Sequence, residues 1–108
     1  MAPIRRGRLA HHRAAPSTGE RSELVARVGE VEIEQILSGT LDGPVDYLQE
    51  HDEWVVVLAG GAVLEAAGHE LELEAGEWVM LPANTPHRLV RTVPGTSWLA
   101  VHVGRQSR

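Results

Sequence analysis

The chain of 108 residues is the size of one domain. Apolar residues make up 43%, enough for a packed core, and no window approaches the ~18 apolar residues a membrane span requires. Cysteine is absent, which excludes disulfides, thiolate metal sites and a cysteine nucleophile. No apolar stretch of signal-peptide type follows Met1, so the expectation is a soluble, cytoplasmic protein without a membrane partner.

Charge divides the chain. Residues 1–21 carry Arg5, Arg6, Arg8, Arg13 and Arg21 against Glu20 alone, whereas the rest is strongly acidic and the whole sums to −5. The leader is rich in Pro, Gly, Ala and His and has no periodic apolar pattern. It is expected to be a flexible basic tail over 1–20, disordered or lying on the acidic body. A single domain follows over 21–104, with a short C-terminal tail over 105–108. The acidic body argues against nucleic acid as the main partner.

Along the body, Ser22–Arg27 reads as a modest helical turn with Ser22 as N-cap. From Glu30 the period is two: Val31 and Ile33 are expected on a dry face, Glu32 and Glu34 on a wet one. Strands are read at Trp54–Leu58, Ala62–Leu64, Leu71–Leu73, Trp78–Leu81, Leu89–Val90 and Trp98–Val101. Between them lie Gly60-Gly61, suited to a tight hairpin, then Ala67-Gly68, Ala75-Gly76, the rigid segment Pro82–Pro86, and Pro94-Gly95. Short strands separated by Gly/Pro turns indicate an all-β sandwich or barrel.

Two stretches, Tyr47–Gly60 and Gly76–Arg91, resemble the two motifs of the cupin superfamily in order and spacing. In the second, Gly76, Pro82 and His87 fall in register, Asn84 takes the second Gly place and Arg91 the final Asn place. In the first, Glu53 and Gly60 fall in register, while Tyr47 and Gln49 stand where two histidines would be and Leu41 replaces the opening Gly. The resemblance covers Val31 to Val103. It implies a double-stranded β-helix, a jelly-roll-like barrel, often dimeric. It also implies a metal-ligand role for His87 and Glu53.

Strand alternation puts Tyr47, Gln49, His51, Glu53, Val55 and Val57 on one face, polar at its start and apolar beyond. The expected reading is a small-molecule site in the barrel. One divalent ion (Zn, Ni, Mn or Fe) would be held by Glu53 and His87 with Gln49, His51 and His102, and Glu53 and His87 would be the catalytic pair of a dioxygenase or isomerase. Tyr47 and Arg91 are expected to contact substrate, Arg91 through a carboxylate or phosphate. The alternative is a metal-free, non-catalytic ligand-binding or sensing module in which Glu53 and His87 pair directly. An outward patch of Leu48, Trp54, Val56 and Leu58 would be covered by a second subunit, making a homodimer, or by Leu24–Leu37.

Overall fold

The computed structural model describes residues 2–104, and the expected tail 105–108 lies outside them. A single 3-10 turn at His12–Ala14 precedes nine strands. These are β1 (Glu20–Val28), β2 (Val31–Ser38), β3 (Val45–Tyr47), β4 (Asp52–Ala59), β5 (Gly61–Ala66), β6 (His69–Glu74), β7 (Trp78–Leu81), β8 (His87–Thr92) and β9 (Thr96–Val103). They form a five-stranded sheet, ordered β1-β2-β9-β4-β7, and a four-stranded one, ordered β3-β8-β5-β6. Every strand pairing is antiparallel.

The expected closed β-helix barrel is corrected by these strand orders. Each sheet is open: β1 and β7 bound one, β3 and β6 the other. The corners explain why. Gly60 joins β4 to β5, which do not pair with each other, so it turns the chain from one sheet to the other and is not the tip of a hairpin. Its φ is +82°, and a Cβ there would collide with Thr96, so glycine alone fits. Pro82–Pro86 and Pro94-Gly95 make further sheet changes, where prolines withhold the donors a continuous ladder would need. A true two-residue hairpin occurs at Ala67-Gly68, both in the left-handed region, between the paired Ala66 and His69.

Ser22–Arg27 is part of β1 rather than a helical turn: Ser22 pairs with Ile36 and Arg27 with Glu32. The segment is too short to gain from helical hydrogen bonds, and the ladder to β2 satisfies its backbone. Consequently Leu24–Leu37 extends the sheet edge and does not cover the outward patch.

The sheets pack face to face over Val55, Val57, Ala62, Leu64, Leu73, Leu81, Leu89, Trp98 and Ala100. The phase of β2 is opposite to the sequence reading. Glu34 pairs with Ala100 and Ile36 with Trp98, and both join the inner face. Gln35 and Leu37 are buried on the other side of β2. There the Ala10 N–H donates to Gln35 Oε1 and Gln35 Nε2 donates to the Ala10 carbonyl, both at 2.9 Å. The chain just before β1 is also bound to the body. Gly19 N–H donates to the Thr40 carbonyl, and Gly39 N–H to that of Gly19.

Candidate functional site

A cavity of about 120 Å³ opens between the two sheets. Its floor is apolar, built from Val55, Leu64, Leu81, Leu89, Ile36 and Trp98. Its polar wall consists of Glu20 and Ser22 from β1, Glu34 from β2, Tyr47 from β3, Gln49, Glu53 from β4, His87 from β8 and His102 from β9.

The register places these groups. On β4, Glu53, Val55 and Val57 are buried while Trp54 and Val56 turn away, as a two-residue period requires. Tyr47 pairs with His87 in the β3–β8 ladder, and their rings stack with centroids 5.4 Å apart. The proline segment before His87 is pinned at two points. The Asn84 N–H donates to the Gln49 carbonyl at 2.7 Å, and the Ala83 N–H to Asp52 Oδ1 at 2.8 Å. Asn84 takes φ +61°, the left-handed conformation that asparagine tolerates in a glycine place. Asp52 and Gln49, beside Glu53 in sequence, thus hold the loop that aims His87.

Three hydrogen-bonded groups can be traced. In the first, Tyr47 Oη donates to Glu20 Oε1 at 2.9 Å, Ser38 Oγ donates to Glu20 Oε2, and Trp98 Nε1 donates to Ser38 Oγ at 3.0 Å. Burial, then the charge of Glu20, pushes the Tyr47 phenol well above its ordinary value, so it stays protonated and a donor. In the second, His102 Nε2 lies 2.8 Å from Glu34 Oε1 and its Nδ1 2.8 Å from His51 Nε2. The Glu34 hydrogen bond raises the His102 pKa against the opposing effect of burial, with Glu53 adding to the rise. In the third, His87 Nδ1 is 3.0 Å from the Thr85 carbonyl, which can only accept, so this nitrogen carries the proton and Nε2 of the neutral ring is an acceptor.

Glu53 stands apart. It is 6% exposed and makes no side-chain hydrogen bond to any described residue, His87 included. Yet among the described residues no fully occluded side-chain polar atom lacks a partner, so the Glu53 oxygens open onto the cavity. These accessible oxygens can accept a hydrogen bond from whatever occupies the cavity.

The expected metal centre finds no support in the arrangement of these side chains. Among the described residues no group of three or more His, Asp or Glu could hold an ion. Of the five expected ligands, His102 has both nitrogens engaged and His51 has Nε2 engaged, and His51 does not line the cavity. The donor set left over is Gln49 with Glu53 and the Nε2 of His87, one imidazole and one carboxylate, fewer strong ligands than the two imidazoles of the motif would supply. Glu53 and His87 share a cavity without the direct pair considered for a metal-free pocket.

Arg91 is not in the cavity. The ladder to β5 passes from Val63↔Arg91 to Leu64↔Leu89, skipping Val90, and this bulge turns Arg91 outward from the His87 face. Arg91 lies 3.9 Å from Glu72 on the exposed surface. Sequence reasoning missed Glu20 and Glu34. Glu20 looked like the one acid of a basic leader. For Glu34 a signal existed: consecutive apolar Ile36-Leu37 breaks the alternation and marks a strand covered on both sides.

Among the described residues no helix is long and apolar enough to cross a membrane. Fold and site together define an all-antiparallel, two-sheet β module with a part-polar cavity between its sheets. The chain belongs to the cupin family: residues 32–102 match the Cupin domain. No curated protein matches it significantly. Among solved structures it is similar to a candidate mannose-6-phosphate isomerase from Ralstonia eutropha JMP134, at 29% identity and TM-score 0.74, covering 90% of this chain and 98% of that one. It is also similar to KdgF from Halomonas sp., at 22% and 0.70, covering 82% of each chain. A third similar structure is the conserved SPY1581 protein of unknown function from Streptococcus pyogenes, at 18% and 0.72, covering 96% and 93%. The last two likenesses speak to fold alone.

Proposed function

We propose that this cupin is a non-catalytic module that binds one small molecule in the cavity between its sheets without a metal ion. The observation that carries this reading is Glu53: buried, open to the cavity, and without a protein hydrogen-bond partner among the described residues. A bound molecule with a donor can hydrogen-bond to it. Tyr47 and Gln49, in the first-motif places where two imidazoles would stand, give the wall a phenol and an amide instead. Tyr47 is tied to Glu20 and stacks on His87, so it positions the wall. Gln49, Glu53 and His87 Nε2 form the recognition set.

The isomerase activity named for the Ralstonia protein is not carried over. Among the described residues no arginine lines the wall to meet a sugar phosphate.

The test uses untagged protein, with native mass spectrometry for a bound molecule and elemental analysis for metal. The reading predicts a non-covalent adduct of low mass without stoichiometric metal. The adduct should be lost in Leu64→Trp, which fills the floor. One equivalent of a transition metal, or an empty protein that no small molecule stabilises, overturns the reading.

A further inference from the structure

We propose that the ligand is a small organic ammonium ion, held by Glu53 with His87 and Gln49. The inference rests on the ligand-binding reading above and names its chemical class.

Charge is the first argument. Among the described residues three carboxylates, Glu20, Glu34 and Glu53, face the cavity against two imidazoles, and no arginine lines it. Lysine is absent from the chain altogether. An anionic ligand would enter against uncompensated like charge.

The second argument is which groups are still open. Glu20 is occupied by Tyr47 and Ser38, and Glu34 by His102. Glu53 is more than nine-tenths buried, lines the cavity and has no hydrogen-bond partner among the described residues. His87 offers only Nε2, an acceptor in the neutral ring because Nδ1–H is spent on the Thr85 carbonyl. The open groups are therefore mainly acceptors, and the ligand must donate. A neutral alcohol would satisfy the hydrogen bonds and leave the charge uncompensated. An ammonium N–H satisfies both, and charge-assisted hydrogen bonds are the stronger kind.

Shape and size complete the case. The apolar floor of Val55, Leu64, Leu81 and Leu89 takes a hydrocarbon portion beneath the polar wall. An apolar protein cavity of about 150 Å³ accommodates benzene. At about 120 Å³ this one holds a molecule of similar or smaller size.

The experiment is calorimetric titration of the full chain at low ionic strength. The cations are piperidinium, n-propylammonium and tetramethylammonium. The controls are tetrahydropyran, a neutral ring of the same size as piperidinium, and butanoate, an anion of similar size. The expected result is one site per chain for at least one N–H-bearing cation, at least tenfold tighter than tetrahydropyran, with no heat from butanoate. Tetramethylammonium, which lacks an N–H donor, should bind more weakly than piperidinium. Glu53→Gln should weaken the cation at least tenfold, whereas Glu70→Gln, on the exposed face of β6, should not. Circular dichroism checks the fold of each variant, and the wild-type comparison decides the matter if Glu53→Gln does not fold. Tetrahydropyran or butanoate binding as tightly as the cations overturns the ammonium assignment and leaves the ligand cavity standing. Failure of every cation overturns it too, and the low-mass adduct sought above then shows whether the ligand-binding reading falls with it.

Discussion

Glu34 Oε1 and His102 Nε2 lie 2.8 Å apart between neighbouring strands of one sheet, and the other nitrogen of that ring reaches His51 at 2.8 Å. The three side chains form a chain along which a proton can be shared, and it ends at the cavity wall. Glu34 raises the His102 pKa above its ordinary 6.5. A raised folded-state value means that protonation stabilises the fold. The contribution is complete below the unfolded value and disappears as pH rises through the folded one. Urea melts of wild type and Glu34→Gln should therefore differ most at pH below the ordinary 6.5 and converge as the pH rises through the raised folded-state value. A difference that stays constant or widens with pH contradicts this assignment. Imidazole NMR titration should show the His102 transition above 6.5 in wild type and lowered in the variant.

Ser38 is fully buried between Trp98 Nε1 and Glu20. Ser38→Ala strips the indole of its acceptor and the carboxylate of one donor. Chemical denaturation should show a loss of about 1–3 kcal/mol, the range for orphaning a buried polar group. A loss within about 0.5 kcal/mol, as at an ordinary surface position, would mean that the network adds nothing to stability.

Gly39 is where β2 ends and the chain before β1 crosses it. A Cβ there would run into the Pro16 carbonyl and the Ser17 backbone. Since backbone and not a flexible side chain is in the way, Gly39→Ala must separate the two segments. The expected cost is about 1–3 kcal/mol in urea unfolding. Gly7→Ala, with open space around it, is the control and should change little.

Arg91→Ala should leave both ligand binding and stability nearly intact, because its ion pair with Glu72 is exposed on both sides. Such pairs are worth about 0–1 kcal/mol. A large fall in binding would return Arg91 to the substrate-contacting role that its spacing from His87 suggested.

How much of this was legible in the sequence depends on what each residue's position required. Glycines and prolines at 60, 76, 82, 86 and 95 mark sheet changes as well as turns, so the all-β class was readable from them, while β1 was missed and β3 was not separated from β4. Whether such a turn closes a hairpin or carries the chain to the other sheet depends on long-range pairing, and the open sheets were not readable. His87 and Glu53 were singled out by the motif resemblance, and both line the cavity because strand spacing fixes their phase within one element. Arg91 was lost to a one-residue bulge, which inverts every later side chain and leaves no local trace. Glu34 was assigned to water because a strand covered on both faces loses the alternation that reveals its inner side. The arrangement of the expected ligands was hidden for a different reason. A sequence shows which imidazoles exist, not that His51 and His102 bond to each other.

The homodimer expected from the sequence needs an apolar face, and its composition changes with the fold. Leu48 follows β3 in the other sheet, while Trp78 and Met80 of edge strand β7 join Trp54 and Val56. Trp54 and Trp78 have ring centroids 6.0 Å apart, and Trp78 is 58% exposed. If this face is the dimer contact, light scattering gives twice the monomer mass for wild type and the monomer mass for Met80→Glu. Equal masses for both would rule it out.

The most direct test of the central claim is a crystal structure of the wild-type chain with its cavity occupant. The account predicts electron density for a light-atom molecule within hydrogen-bond distance of the Glu53 carboxylate and of His87 Nε2. A protein side chain satisfying Glu53, or a metal ion about 2.0–2.2 Å from Glu53 and His87, would contradict it.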